Sequence, residues 1–300
     1  MWTGSGGSGP ARSGGEARIE LSFDEARTEI GKAQTKAMWP YFLPGAAAPP
    51  ETLHHYTNAV GLKGILCSKS LWASDCRFLN DRSELVYGHN LVKNYILKQP
   101  GPVAAALLHG APPIDEKADL YVACFCERGD LLSQWRGYSR QQDGYSVAFR
   151  FSSLLASKNL VLLTKLLYDP REQEETLGSL ISAICDMFSR IDLPMDQTTR
   201  LIEIAANAVW ALPFRLKDSS FEGEQEWRLT AAPVSGYKEE FRVVDGHFVP
   251  YVQIPFEVKS LIQVRQGPGV YRVANIGSLT RLLAAEGFKG TRVEKSPVPL

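Results

Sequence analysis

Two apolar runs of strand length, DLYVACFC (119–126) and GYSVAFRF (144–151), flank the polar segment ERGDLLSQWRGYSRQQD, and the order of elements downstream of them constrains the fold most. After a third such run, NLVLLTKLLYD, residues 170–214 are helical in composition and periodicity, with a break near IDLPMD. Strand character returns only in EQEWRLTAA, HFVPYVQIP and SLIQVRQGP, before a helix in NIGSLTRLLAAEG and a last strand in FKGTRVEKS. Strands and helices are segregated instead of alternating, which predicts an α+β fold over a doubly wound parallel sheet. The sequence holds no internal repeat and neither of the glycine-rich phosphate-binding motifs.

Upstream, Ser22-x-x-Glu25 is a capping-box pattern followed by Ala26, Ile30, Ala33 and Ala37 at helical spacing, so a helix is expected over 22–37. It ends in the proline-rich WPYFLPGAAAPP. Leu53 to Tyr56 read as a strand, with Asn58 capping a short helix that carries Val60, Leu62, Ile65 and Leu66. SLWAS is a second strand, and Asp81-x-x-Glu84 opens a helix with Leu85, Tyr87, Leu91 and Ile96. Gly and Ser dominate residues 1–17, which read as a disordered leader or an added linker. The expected organisation is that leader, a helix and connector over 18–50, and a single domain over 51–300.

Thirty-three basic and 33 acidic side chains cancel in the 300 residues, so no global positive field draws the chain to nucleic acid or membrane. The five cysteines, Cys67, Cys76, Cys124, Cys126 and Cys185, lack C-x-x-C spacing and suit a reducing cytoplasm better than a disulfide framework. Cys124 and Cys126 would share one strand face, no second ligand pair accompanies them, and no metal site is expected. No apolar stretch reaches the ~18 to 20 residues of a membrane span, so a cytoplasmic location is expected.

Four segments could carry chemistry. On a strand, His55 and Thr57 face one way and Tyr56 the other, so His55 and Thr57 either line a cleft or sit solvated at a strand end while Tyr56 packs inward. In FEGEQEWRL (221–229), a strand would put Glu224, Glu226, Arg228 and Thr230 on one face and Gln225, Trp227 and Leu229 on the other. Those carboxylates either share a cleft, where closeness raises one pKa, or form an ordinary exposed surface. Ser133, Gln134, Trp135, Arg136 and Tyr138 cluster between the two apolar runs, where an aromatic beside a guanidinium can grip a planar ring and a phosphate. The alternative is that Trp135 plugs the core and Arg136 pairs with an acid. In WASDCRFLNDRSE, Asn80 and Asp81 make a turn and helix cap, with Arg77 within reach of a phosphate at that helix start.

The ordered set LHHYTNAVGLKGIL, LWASDCRFLNDRSELVYG, YVACFCERGDLLSQWRGYS, GYSVAF, LLYDP and FEGEQEWRL resembles DUF2971, a bacterial domain family of unknown function, over residues 53–268. The arrangement is also similar to that of ADP-ribosyltransferases. That resemblance implies a split, mostly antiparallel sheet with flanking helices, an early histidine matched by His55, a late acidic motif matched by Glu224-x-Glu226, and a stacking tyrosine among Tyr56, Tyr138 and Tyr145. It implies NAD as substrate, cleaved between nicotinamide and ribose through an oxocarbenium-like state. Glu226 would hold the ribose 2′-hydroxyl and face the developing charge, and Glu224 would activate the acceptor. His55, assisted by Thr57, would bind the adenosine-side ribose. Arg77 and Arg136 would neutralise the pyrophosphate, Trp135 or a tyrosine would stack, and Asn80 would join the cofactor-binding set.

The expected activity is thus an NAD-dependent ADP-ribosyltransferase or NAD glycohydrolase acting on an unknown acceptor, of the kind used in antiphage defence or toxin action. One alternative is a non-catalytic nucleotide or nucleic-acid binding module working through Trp135, Arg136 and Arg77. Another is a metal-dependent nuclease using Asp81, Glu84, Glu224 and Glu226. The N-terminal helix is a candidate surface for a protein partner.

Overall fold

A computed structural model of the chain describes residues 20–79, 82–111, 120–138, 144–155, 161–231, 236–244, 246–269 and 272–298. The first helix, α1 (Phe23–Met38), begins at a complete capping box. Ser22 N–H and Oγ donate to the Glu25 carboxylate at 2.9 and 2.6 Å, and Glu25 N–H donates back to Ser22 Oγ at 3.4 Å. Its buried face, Ala26, Ile30, Ala37 and Met38, packs against α7 (Pro170–Phe188) and α8 (Met195–Trp210). With α3 (Arg82–Leu97) and α4 (Pro102–His109) these form a helical core around Ile96, Leu107, Ile184 and Val209. The apolar face of α1 therefore packs within the chain.

The second core lies on one face of a ten-stranded sheet. It gathers Leu53, Phe125, Phe149, Trp227, Leu229 and Val264 with side chains of α2 (Ala59–Ser68) and α9 (Arg272–Ala285). The sheet comprises β1 (Thr52–Thr57), β2 (Ser70–Asp75), β3 (Tyr121–Cys126), β4 (Tyr145–Arg150), β5 (Val161–Lys165), β6 (Glu226–Ala231), β7 (Glu239–Val244), β8 (His247–Pro255), β9 (Leu261–Gln266) and β10 (Arg292–Lys295). All its strand pairs are antiparallel except β10 with β9, so the fold is α+β with a mostly antiparallel sheet.

The site depends on how β3 is shared. One edge of β3 pairs with β6 along its whole length, from Tyr121 opposite Ala231 to Cys126 opposite Glu226. The other edge is divided. β2 takes its first two residues, with Asp75 opposite Tyr121 and Ser74 opposite Val122, whereas β1 meets it only at His54 opposite Cys126. Between those contacts β1 and β2 diverge, and the sheet has a gap.

Two readings of the sequence change here. LSQWRGY, part of the polar segment between the two apolar runs, forms α5 (Leu132–Tyr138), and PVAAALLH, with no element expected from the sequence, forms α4 with proline in its first turn.

Candidate functional site

Alternation along β6 sends Trp227 and Leu229 into the sheet core and turns Glu226 and Arg228 to the opposite face. Glu224 is not on the strand. It ends a 3-10 turn, Ser219–Glu224, and the left-handed Gln225 (φ 47°) separates it from β6. The two carboxylates meet because both reach the same ammonium. Lys217 Nζ lies 2.6 Å from Glu224, 2.8 Å from Glu226 and 2.7 Å from Glu84 of α3. Arg228 donates from Nε to Glu226 at 2.7 Å and from Nη2 to Glu84.

Burial alone would raise the Glu226 carboxyl, but Arg228 and Lys217 overcome it and hold the group ionised, well below the usual carboxylate range. For Lys217, burial opposes the charge, and Glu226 with its fellow carboxylates more than restores it. Glu226, Lys217 and Arg228 side chains are all under 10% exposed, whereas Glu224 is 30% exposed. The carboxylate that faces outward from this network is therefore Glu224.

This network floors a cavity of about 230 Å³ whose other walls include His54, Tyr56, Ser133 and Gln134. The Tyr56 hydroxyl accepts from Leu131 N–H at 3.0 Å and donates to Arg128 C=O at 2.8 Å. Its ring meets Trp135 edge-on at 4.8 Å, and the Trp135 indole N–H donates to Asp130 at 2.7 Å. Trp135 is thus a buried plug under Tyr56 and not a platform for a ring. A Cβ on Gly129 would stand 2.3 Å from His54 Nδ1, so glycine is what lets the loop after β3 close over that imidazole. Burial, helped by Arg265, pulls His54 down to about 4 and keeps it neutral near pH 7.

A second cavity, about 440 Å³, occupies the gap between β1 and β2. His55, Thr57 and Asn58 line it from one side, Trp72 and Ser74 from β2, and Arg242 from β7. His55 Nδ1 donates to Cys124 C=O at 2.9 Å, and burial lowers its pKa despite that bond. Asn58 caps α2, accepting from Gly61 N–H at 2.9 Å. The two cavities share Tyr56, Leu79, Cys124 and Gly137 and therefore adjoin.

Strand register corrects the expected face. Directly paired residues point the same way, and His54 lies opposite Cys126, which lies opposite Glu226. His54 and Tyr56 therefore stand on the face of Glu226, while His55 and Thr57 point with Leu53 toward the other. His55, Thr57 and Glu226 line adjoining cavities but do not share one, and Tyr56, expected to turn away, lines both.

The two arginines expected at a pyrophosphate are elsewhere. Arg77 Nε donates to both Asp75 oxygens, at 3.0 and 3.1 Å, and Arg77 lines neither cavity. Arg136 is exposed on α5 and lines neither. Tyr145 is buried, its hydroxyl accepting from Asn275 at 2.5 Å. Asn80, Asp81 and the Tyr138 side chain lie outside the described residues. Glu84, read as a helix-cap residue, is a member of the ionic network. Among the described residues no group of three or more His, Cys, Asp or Glu is arranged to hold a metal ion, and the point where three carboxylates converge holds the Lys217 ammonium.

Fold and site together define an α+β protein with a gapped antiparallel sheet and a saturated ionic network beside the gap. Residues 134–229 match the family model described as Protein of unknown function (DUF2971). The match runs from α5 into β6 and takes in Lys217, Glu224, Glu226 and Arg228, leaving β1 and β7 outside. No curated protein and no solved structure matches the chain. Among the described residues no helix is long and apolar enough to cross a membrane.

Proposed function

We propose that the chain cleaves the nicotinamide–ribose bond of NAD and passes ADP-ribose to an acceptor or to water. The observation that carries this reading is Glu224, a part-exposed carboxylate fixed by Lys217 at the floor of a cavity that adjoins a larger one. As the C1′–N bond breaks, its electron pair goes to the nicotinamide nitrogen and positive charge grows on the ribose. A fixed carboxylate beside C1′ stabilises that charge. The acceptor then attacks C1′ and loses its proton to Glu224 or to solvent.

The supporting geometry redistributes the roles read from the sequence. Glu226, with both oxygens engaged by Arg228 and Lys217, is a positioning residue that holds Lys217, and through it Glu224. His54 and Tyr56 replace His55 as the β1 side chains beside the carboxylates. A metal-dependent nuclease is less well supported, because a divalent ion at the carboxylates would have to displace Lys217. A role in defence or as a toxin belongs to the same proposal, with NAD depletion in expressing cells as its readout.

The test is release of nicotinamide from NAD, with protein, nucleic-acid and small-molecule acceptors and with water alone. The expected result is release by the parent and a loss of about 10²-fold or more in Glu224→Gln, which keeps the shape and removes the charge. Absence of nicotinamide with every acceptor, or a Glu224→Gln variant as active as the parent, overturns the reading.

A further inference from the structure

We infer that the cavity in the gap between β1 and β2 is a binding site for the diphosphate of a nucleotide, with Arg242 as its cation. That the nucleotide is NAD rests on the function proposed above; that the cavity takes a phosphate anion does not.

Arg242 reaches from the edge strand β7 to β2, where Nη2 donates to Ser74 Oγ at 2.6 Å. Its guanidinium lies 5.8 Å from the ring centres of both Trp72 and Tyr251. Nε is buried with no hydrogen-bond partner, and among the described residues no carboxylate pairs with Arg242. The acids on its own strand are engaged elsewhere. Glu240 accepts from Tyr251 and Gln253 at 2.7 and 2.9 Å, and Glu239 accepts from Tyr121. The other titratable side chain of this cavity that approaches it, His55, is held neutral by burial.

The other buried or half-buried cations among the described residues show what is missing. Arg77, Arg190, Lys217, Arg228 and Arg265 each meet a carboxylate, and Arg215 donates to the carbonyls of Lys165 and Ala37. A guanidinium has five N–H donors, and among the described residues Arg242 has one of them placed. A half-buried charge without a counter-charge is costly, and an entering anion removes that cost. The two ring centres are 5.0 Å apart, so both rings support the guanidinium from one side, and its fork of N–H donors is the group that matches phosphate oxygens.

A nucleotide fits the rest of the lining better than a bare phosphate. His55 donates through Nδ1, so its neutral ring offers Nε2 as an acceptor, which suits a ribose hydroxyl. At about 440 Å³ the cavity is within the usual range for small-molecule sites, roughly 300–1,000 Å³.

Titration calorimetry of the full chain with ADP, adenosine and inorganic pyrophosphate at low ionic strength tests this. The parent should bind ADP at least about ten-fold more tightly than adenosine, and Arg242→Gln should erase that difference while leaving adenosine binding intact. Arg242→Lys, which keeps charge and stem but loses the fork, should fall between them and guards against a folding defect in Arg242→Gln. Glu224→Gln should retain the ADP preference. Equal ADP affinity in parent and Arg242→Gln, or failure of folded parent to bind ADP and pyrophosphate, overturns the inference. Arg242-dependent ADP binding without nicotinamide release supports the site and overturns the proposed activity alone.

Discussion

The cavities on either side of Tyr56 are charged by opposite means. In the smaller, two cations and three carboxylates interlock with one negative charge in excess, and every charged atom of Lys217 and Glu226 has a partner within 3 Å. In the larger, one arginine stands on two aromatic rings with a serine hydroxyl as its hydrogen-bond partner. A buried charge needs a counter-charge in either case. The first cavity carries its own, and the second leaves that place to a ligand.

Removing one member from each cavity gives the sharpest contrast. Glu226→Ala strands Arg228 and Lys217, both under 10% exposed, with fewer carboxylates, and should lower stability by about 3–5 kcal/mol in urea unfolding. A cost near that of a surface substitution would show that water already reaches the network and would dissolve the contrast.

Acid should also separate two members of the smaller cavity. Glu226 titrates lower in the fold than in the unfolded chain, so its contribution is complete above about 4.5 and is lost as the pH falls towards 2. Glu226→Gln should flatten the stability curve across that window. His54 is also lower in the fold. Its contribution is complete above about 6.5 and disappears towards pH 4, so His54→Asn should flatten that earlier part of the curve, as read by urea midpoints against pH.

The smallest effect is expected at Arg242. Arg242→Met keeps an apolar stem over Trp72 and Tyr251 and removes a charge that meets no carboxylate among the described residues, so stability should change by about 1 kcal/mol or less in the same assay. A loss as large as that of Glu226→Ala would mean the guanidinium is already neutralised, and the two cavities would then be alike.

How much could be read from the sequence depends on which residues carried a pattern of their own. In β6 the apolar Trp227 and Leu229 alternate with charged neighbours, so both faces were legible, and so was the capping box of α1. In β1 the string LHHYT puts its apolar residues, Leu53 and Tyr56, three apart, which is out of step with a period of two. Nothing local then says which histidine shares a face with the carboxylates. The partner does, because Cys126 links His54 to Glu226 across two pairings.

Lys217 sits in no motif, yet it draws together acids from α3, a 3-10 turn and β6, a convergence made only by the tertiary fold. β7 went unread for a different reason. As an edge strand exposed at Phe241, Val243 and Val244, it has no buried face to impose alternation, and Arg242 went unnoticed with it.

His55 gains a different importance from the divided edge of β3. Past the point where β1 leaves, the Cys124 carbonyl faces the gap, and the imidazole of His55 supplies it with a hydrogen bond. A side chain there does the work of an absent strand. The opening is thereby wedged in the resting fold, and the proposed nucleotide would have no pair of strands to prise apart.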